Sequence, residues 1–105
     1  MVSEEILKEV TRRLVEGFHP DKIILFGSQA RGTADDRSDV DILVICPVSD
    51  NRLKLILDMY NALDKMRFAK DILILTPEEF DLDRYIPGTI ARPAWLEGKV
   101  LYERP

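Results

Sequence analysis

Apolar residues at Ile6, Leu7, Val10 and Leu14 recur at helical spacing, which predicts a first helix over about Ser3 to Gly17. Ser3 can cap it, and Glu4 and Glu5 in its first turn suit the positive end of a helix. The unbroken apolar run Ile23-Ile24-Leu25-Phe26 then reads as a short buried strand that stops at Gly27. Ser28 opens a helix of one or two turns that Gly32 ends, and Thr33 to Arg37 is polar and turn-like. From Ser38 the chain alternates, with Asp39, Asp41, Leu43 and Ile45 on one face of a strand and Val40, Ile42 and Val44 on the other. Leu53, Ile56, Leu57, Tyr60 and Leu63 form a stripe on a helix predicted over Asn51 to Met66, with Asp50 as its cap. Asp71 to Leu75 is the next strand. Thr76 and Glu79 then fit a capping box with Pro77 in the first turn, and Pro87-Gly88 breaks the chain after that helix. A short helix over Thr89 to Glu97, ended by Gly98, and a strand over Lys99 to Tyr102 complete the chain.

These elements predict an α/β fold, a small mixed β-sheet with flanking helices on an α-β-α-β-α-β core, in a single domain over residues 1–105. A helix the length of Asn51 to Met66 suits a crossover between parallel strands. The strand at Asp71 should therefore run parallel to the one at Asp39, whereas the short link from Phe26 to Asp39 favours antiparallel neighbours. The end of the first strand and the starts of the second and third then share one sheet edge.

That edge carries the chemistry. A glycine turn followed by a helix start offers backbone N–H groups to phosphate oxygens, and the Ser28 hydroxyl adds a donor. Asp39 and Asp41, separated by roughly 6.6 Å of strand rise, point the same way and can converge on Mg²⁺, which favours one or two carboxylates plus substrate phosphates. Gly-Ser alone is more often a plain turn, and an Asp pair alone is more often a solvated strand end. Their joint occurrence with ten residues between them, Arg31-Gly32 included, favours a nucleotide site.

The stretch LFGSQARGTADDRSDVDILVI resembles the signature of the nucleotidyltransferase superfamily that includes DNA polymerase beta, and most closely its minimal nucleotidyltransferase (MNT) branch. The resemblance implies that Gly27 and Ser28 hold a nucleoside triphosphate, that Asp39 and Asp41 bind Mg²⁺, and that a third acid on a later strand completes the site. Gln29 stands where members often carry a basic residue. Topology selects Asp71 as the third acid, against a bland reading as an edge charge or a partner for Lys70. Arg31 has two readings: a surface ion pair with Asp35 or Asp36, or neutralisation of triphosphate charge. The resemblance further implies transfer of AMP from ATP to an acceptor hydroxyl with release of pyrophosphate. The expected acceptor is a tyrosine of an all-helical HEPN toxin for which this chain is the antitoxin. A binding antitoxin without turnover, and a freestanding enzyme acting on a small molecule, are the alternatives.

Composition agrees with such a unit. A chain of 105 residues with 46% hydrophobic content supports one core and leaves no room for an acceptor domain, so a partner chain, a homo-oligomer interface or a very small acceptor must complete the site. The net charge of −4 argues against broad nonspecific binding to nucleic acid, which needs Lys and Arg against phosphate, while a nucleotide can be matched by bound metal. The charged first helix is not a secretory signal, and no apolar run approaches the ~20 residues that span a bilayer. The single cysteine, Cys46, excludes an internal disulfide and fits core packing in a reducing cytoplasm. His19 has no neighbours at metal-ligand spacing, and Trp95 and Tyr102 read as packing residues.

Overall fold

The computed structural model describes residues 2–32 and 39–105, so the predicted turn at Thr33 to Arg37 and the strand start at Ser38 lie outside the described residues. Helix α1 spans Glu4–Phe18 and strand β1 Lys22–Phe26; the one-turn helix α2 is Ser28–Arg31 and strand β2 Val40–Ile45. Helix α3 covers Arg52–Ala62, β3 Lys70–Leu75, α4 Pro77–Asp83, α5 Ala91–Glu97 and β4 Lys99–Glu103. The strands lie in the order β3-β2-β1-β4. β1 is antiparallel to β2 and β2 is parallel to β3, as expected from the lengths of their connections, and β1 is also antiparallel to β4. No helix among the described residues is long and apolar enough to cross a membrane.

Strand alternation divides the core into two layers. On one face, Ile23, Leu25, Ile42, Val44, Ile72 and Ile74 pack with Leu7, Val10 and Leu14 of α1 and with Met59 and Leu63 at the end of α3. The other face, of Ile24, Leu43 and Ile45, is covered by Phe80 of α4 and by Ala91 and Ala94 of α5. Alanines three apart let α5 lie close to the sheet. The chain then turns back sharply at Gly98, where a Cβ would stand 2.2 Å from the Ala94 carbonyl oxygen and 2.5 Å from Ile24 Cγ2. Each buried aliphatic side chain in these layers contributes about 1.5–3 kcal/mol relative to exposure.

Several boundaries differ from the sequence reading. Ser3 caps α1 as expected, accepting from the Ile6 N–H, and His19 closes the helix in a left-handed conformation at φ 48°. Asn51, not Asp50, caps α3 by accepting from the Lys54 N–H, and the helix ends at Ala62 rather than Met66. Helix α5 starts at Ala91 because the Thr89 hydroxyl donates back to the Asp83 and Ile86 carbonyls. The capping box at Thr76 and Glu79 forms in full. Cys46 is buried in the larger core layer, and burial raises its thiol pKa, so it stays protonated. Tyr102 packs against the same layer, while Trp95 is half-exposed and meets the Tyr85 ring edge-on at 5.2 Å.

Candidate active site

Three strand ends meet where the sequence places the acids. Asp41 is the register partner of Phe26 on β1 and of Asp71 on β3, so the carboxylate of β2 stands between the end of one neighbour and the start of the other. Paired residues on adjacent strands point to the same side, about 4.8 Å apart. Asp41 and Asp71 therefore project from the face that α4 and α5 cover lower down. Asp39 is exposed, immediately before β2.

Gly27 links this edge to α2. Its φ of 73° is a left-handed value that glycine adopts without strain, and a Cβ there would lie 2.3 Å from Asp41 Oδ2. The Asp41 carboxylate thus occupies the space that a side chain at residue 27 would need. The Gly27 carbonyl accepts from the Ala30 and Arg31 N–H groups, which starts the single turn of α2 at Ser28, and Gly32 ends it at φ 75°. Such a short helix has little stability of its own. Side chains tie it down on two sides: buried Gln29 accepts from the Val2 N–H at 3.1 Å, and Arg31 pairs with Glu97 of α5 at 3.4 Å. Gln29 is thus an internal strut between α2 and the backbone at Val2.

The electrostatics of the edge are those of crowded anions. Partial burial raises the pKa of Asp41, Asp71 and then Asp39 push it further in the same direction, and the Arg31 guanidinium pulls it back. Among the described residues no three His, Cys, Asp or Glu side chains are drawn into a ready-made ligand set. Carboxylates that repel one another have no reason to converge without a cation. The donors are nonetheless hard oxygens of the kind Mg²⁺ selects, and a dication would relieve the repulsion that Asp41 experiences.

Of the bland readings, the structure addresses the one that pairs Asp71 with Lys70. Lys70 does not pair with Asp71; its ammonium donates to the Met66 and Phe68 carbonyls and lies 4.6 Å from the Phe68 ring centroid. Arg31 reaches Glu97, while Asp35 and Asp36 lie outside the described residues. Glu97 is the neighbour that the sequence reading missed. Its one local signal was a negative charge in the last turn of a helix, where the macrodipole disfavours it.

Residues 4–94 match the family described as Nucleotidyltransferase domain. The chain belongs to that family. A Methanocaldococcus jannaschii protein named "putative protein adenylyltransferase" is 32% identical to this nucleotidyltransferase over 104 residues, spanning 97% of this chain and 100% of its own length. Among solved structures, a toxin–antitoxin with AMP-PNP gives a TM-score of 0.65 at 22% identity, covering 93% of this chain and 73% of that one. The tri-AMPylated Shewanella oneidensis HEPN toxin in complex with MNT antitoxin gives 0.59 at 19% identity, covering 96% of this chain and 72% of that one. At these identities the likeness is one of fold, and it is the fold of this nucleotidyltransferase that places Gly27, Asp41 and Asp71 side by side.

Proposed function

We propose that this nucleotidyltransferase moves AMP from ATP, with Mg²⁺, onto a tyrosine hydroxyl of a HEPN-type protein partner, and that the transfer makes the chain an antitoxin. The observation that carries the reading is the in-register placement of Asp41 and Asp71 against Gly27, whose missing side chain leaves room for the Asp41 carboxylate. The adenylyltransferase name of the archaeal relative supports AMP as the transferred group. Fold neighbours that include an antitoxin bound to an AMPylated toxin support a protein acceptor.

In this reading Gly27 and Ser28 cradle the phosphates and Arg31 neutralises part of their charge. Asp39 and Asp41 would hold Mg²⁺ with the nucleotide, and Asp71 would join them as a third carboxylate. Bound Mg²⁺ supplies charge stabilisation for an in-line displacement at phosphorus. The acceptor oxygen bonds to the α-phosphorus, the bond from that phosphorus to the bridging oxygen breaks, and pyrophosphate leaves with the electron pair. Asp71 takes the proton of the acceptor hydroxyl.

The test follows α-labelled ATP onto a co-expressed partner chain. Label should appear on tyrosine with Mg²⁺ and not with excess chelator. Asp71→Asn should retain much of the Mg·ATP affinity, since Asp39 and Asp41 remain, yet transfer about 10²–10⁴-fold more slowly because the base is gone. Wild-type transfer by Asp71→Asn would remove Asp71 from the reaction. Label confined to small molecules would overturn the protein acceptor.

A further inference from the structure

The contact between α2 and α5 joins the phosphate turn to a part of the chain with no counterpart in the motif. Arg31 Nη1 lies 3.4 Å from Glu97 Oε2 across 66 residues of sequence, and both side chains are about half exposed. The same guanidinium also acts on Asp41, lowering a pKa that burial and the neighbouring carboxylates raise. One cation therefore faces two anionic demands, from Glu97 at 3.4 Å and from the Asp41 carboxylate. Glu97 closes α5 with no basic residue in that last turn, so its own helix gives it no compensation. Arg31 is its ion-pair partner among the described residues.

We infer that Glu97 is a positioning residue that competes with the nucleotide's phosphates for Arg31, so that its charge sets how tightly the site holds a nucleoside triphosphate. The inference rests on the proposed nucleotide site and adds a residue from outside its motif. A triphosphate at Gly27 and Ser28 brings several negative charges toward the Arg31 guanidinium. Glu97 opposes it twice: it holds the arginine in an ion pair that must loosen, and it repels the incoming phosphates. Gln at the same position keeps the size and the accepting oxygen but removes both effects. Because the pair is solvent-exposed, the effect is modest and is screened by salt.

Calorimetric titration of the folded protein with Mg·ATP and with AMP, at low and high ionic strength, tests this. Glu97→Gln should bind Mg·ATP about two- to fivefold more tightly at low salt, with the gain shrinking at high salt. AMP, which lacks the β- and γ-phosphates, should bind the two proteins alike. Arg31→Gln should weaken Mg·ATP binding, and Glu97→Gln added to Arg31→Gln should bring a smaller gain than it brings to the wild type, because only the direct repulsion of the phosphates is then left to remove. Thermal melts of each variant confirm folding. Wild-type protein that binds Mg·ATP together with a Glu97→Gln variant of equal or weaker affinity would overturn the role of Glu97 and leave the nucleotide site standing. Wild-type protein that binds no Mg·ATP would overturn the site itself, and this inference with it.

Discussion

Gly27 combines two independent demands in one residue, and they make its replacement informative. At φ 73° and ψ −154° the backbone lies in a region that essentially only glycine occupies, and a side chain there is strained by about 1–3 kcal/mol whatever surrounds it. The second demand is local space, since a Cβ would stand 2.3 Å from Asp41 Oδ2 and 3.3 Å from Asp41 Cγ. Asp41 can relieve that clash only by turning its carboxylate away from the turn. Gly27→Ala should therefore lose about 1–3 kcal/mol in denaturant unfolding and also lose Mg·ATP binding in titration. Gly32, at φ 75° and ψ 15°, is in the milder left-handed helical conformation, and no described atom lies within 4 Å of a Cβ built there, so Gly32→Ala should cost about 1–2 kcal/mol with a much smaller change in binding. Equal binding losses in the two variants would mean that backbone strain, not the room left for Asp41, makes residue 27 special.

At the level of elements, helix α4 shows how a local rule supports a distant site. The Thr76 hydroxyl accepts from the Glu79 N–H at 3.1 Å, and Glu79 accepts from the Thr76 N–H at 2.8 Å and pairs with Arg52 of α3 at 2.8 Å. The cap holds α4 so that Phe80 covers the face below Asp41 and Asp71. Thr76→Ala should cost about 1 kcal/mol, a fall in melting temperature of about 4–8 °C, with little change in Mg·ATP affinity because no ligand contact is removed. Unchanged melting would show that the Arg52 bridge holds α4 without the hydroxyl. This box was legible in the sequence because both partners lie within three residues, and the face that Asp41 shares with Leu43 and Ile45 followed from strand alternation, whereas Asp39, read as part of the same strand, lies just before it. Helix ends were less legible. Of the stripe read for α3, Ile56, Tyr60 and Leu63 contact the core while Leu53 and Leu57 are exposed, and Leu63 and Met66 stay at the core although the helix ends at Ala62 and Lys65 turns to φ 71°. Burial outlasts helical geometry there, so periodicity overshoots. The Arg31 to Glu97 contact and the bulge where β4 shifts register against β1 depend on neighbours distant in sequence, which no short motif announces.

For the whole molecule, the same carboxylates that make the site useful oppose the fold that carries it. Asp41 has a raised pKa, so above its folded value the ionised form is worse off in the native state than in the unfolded chain. The native state binds the proton more readily, and this cost is relieved as pH falls through the folded value toward the ordinary 3.8, below which both states are protonated. In chelator at pH 7, Asp41→Asn should thus melt at a higher temperature than the wild type, and the difference should shrink on acidification. Adding Mg·ATP should reverse the ranking. A ligand that binds only the folded protein stabilises it by mass action, about 2.7 kcal/mol at one hundred times its dissociation constant, and Asp41→Asn would lose that gain with the metal site. The crossing of the two melting curves is the measurement that matters. A variant that melts lower than wild type in chelator would assign Asp41 a structural role, and one that still shifts fully with Mg·ATP would place the metal on other residues.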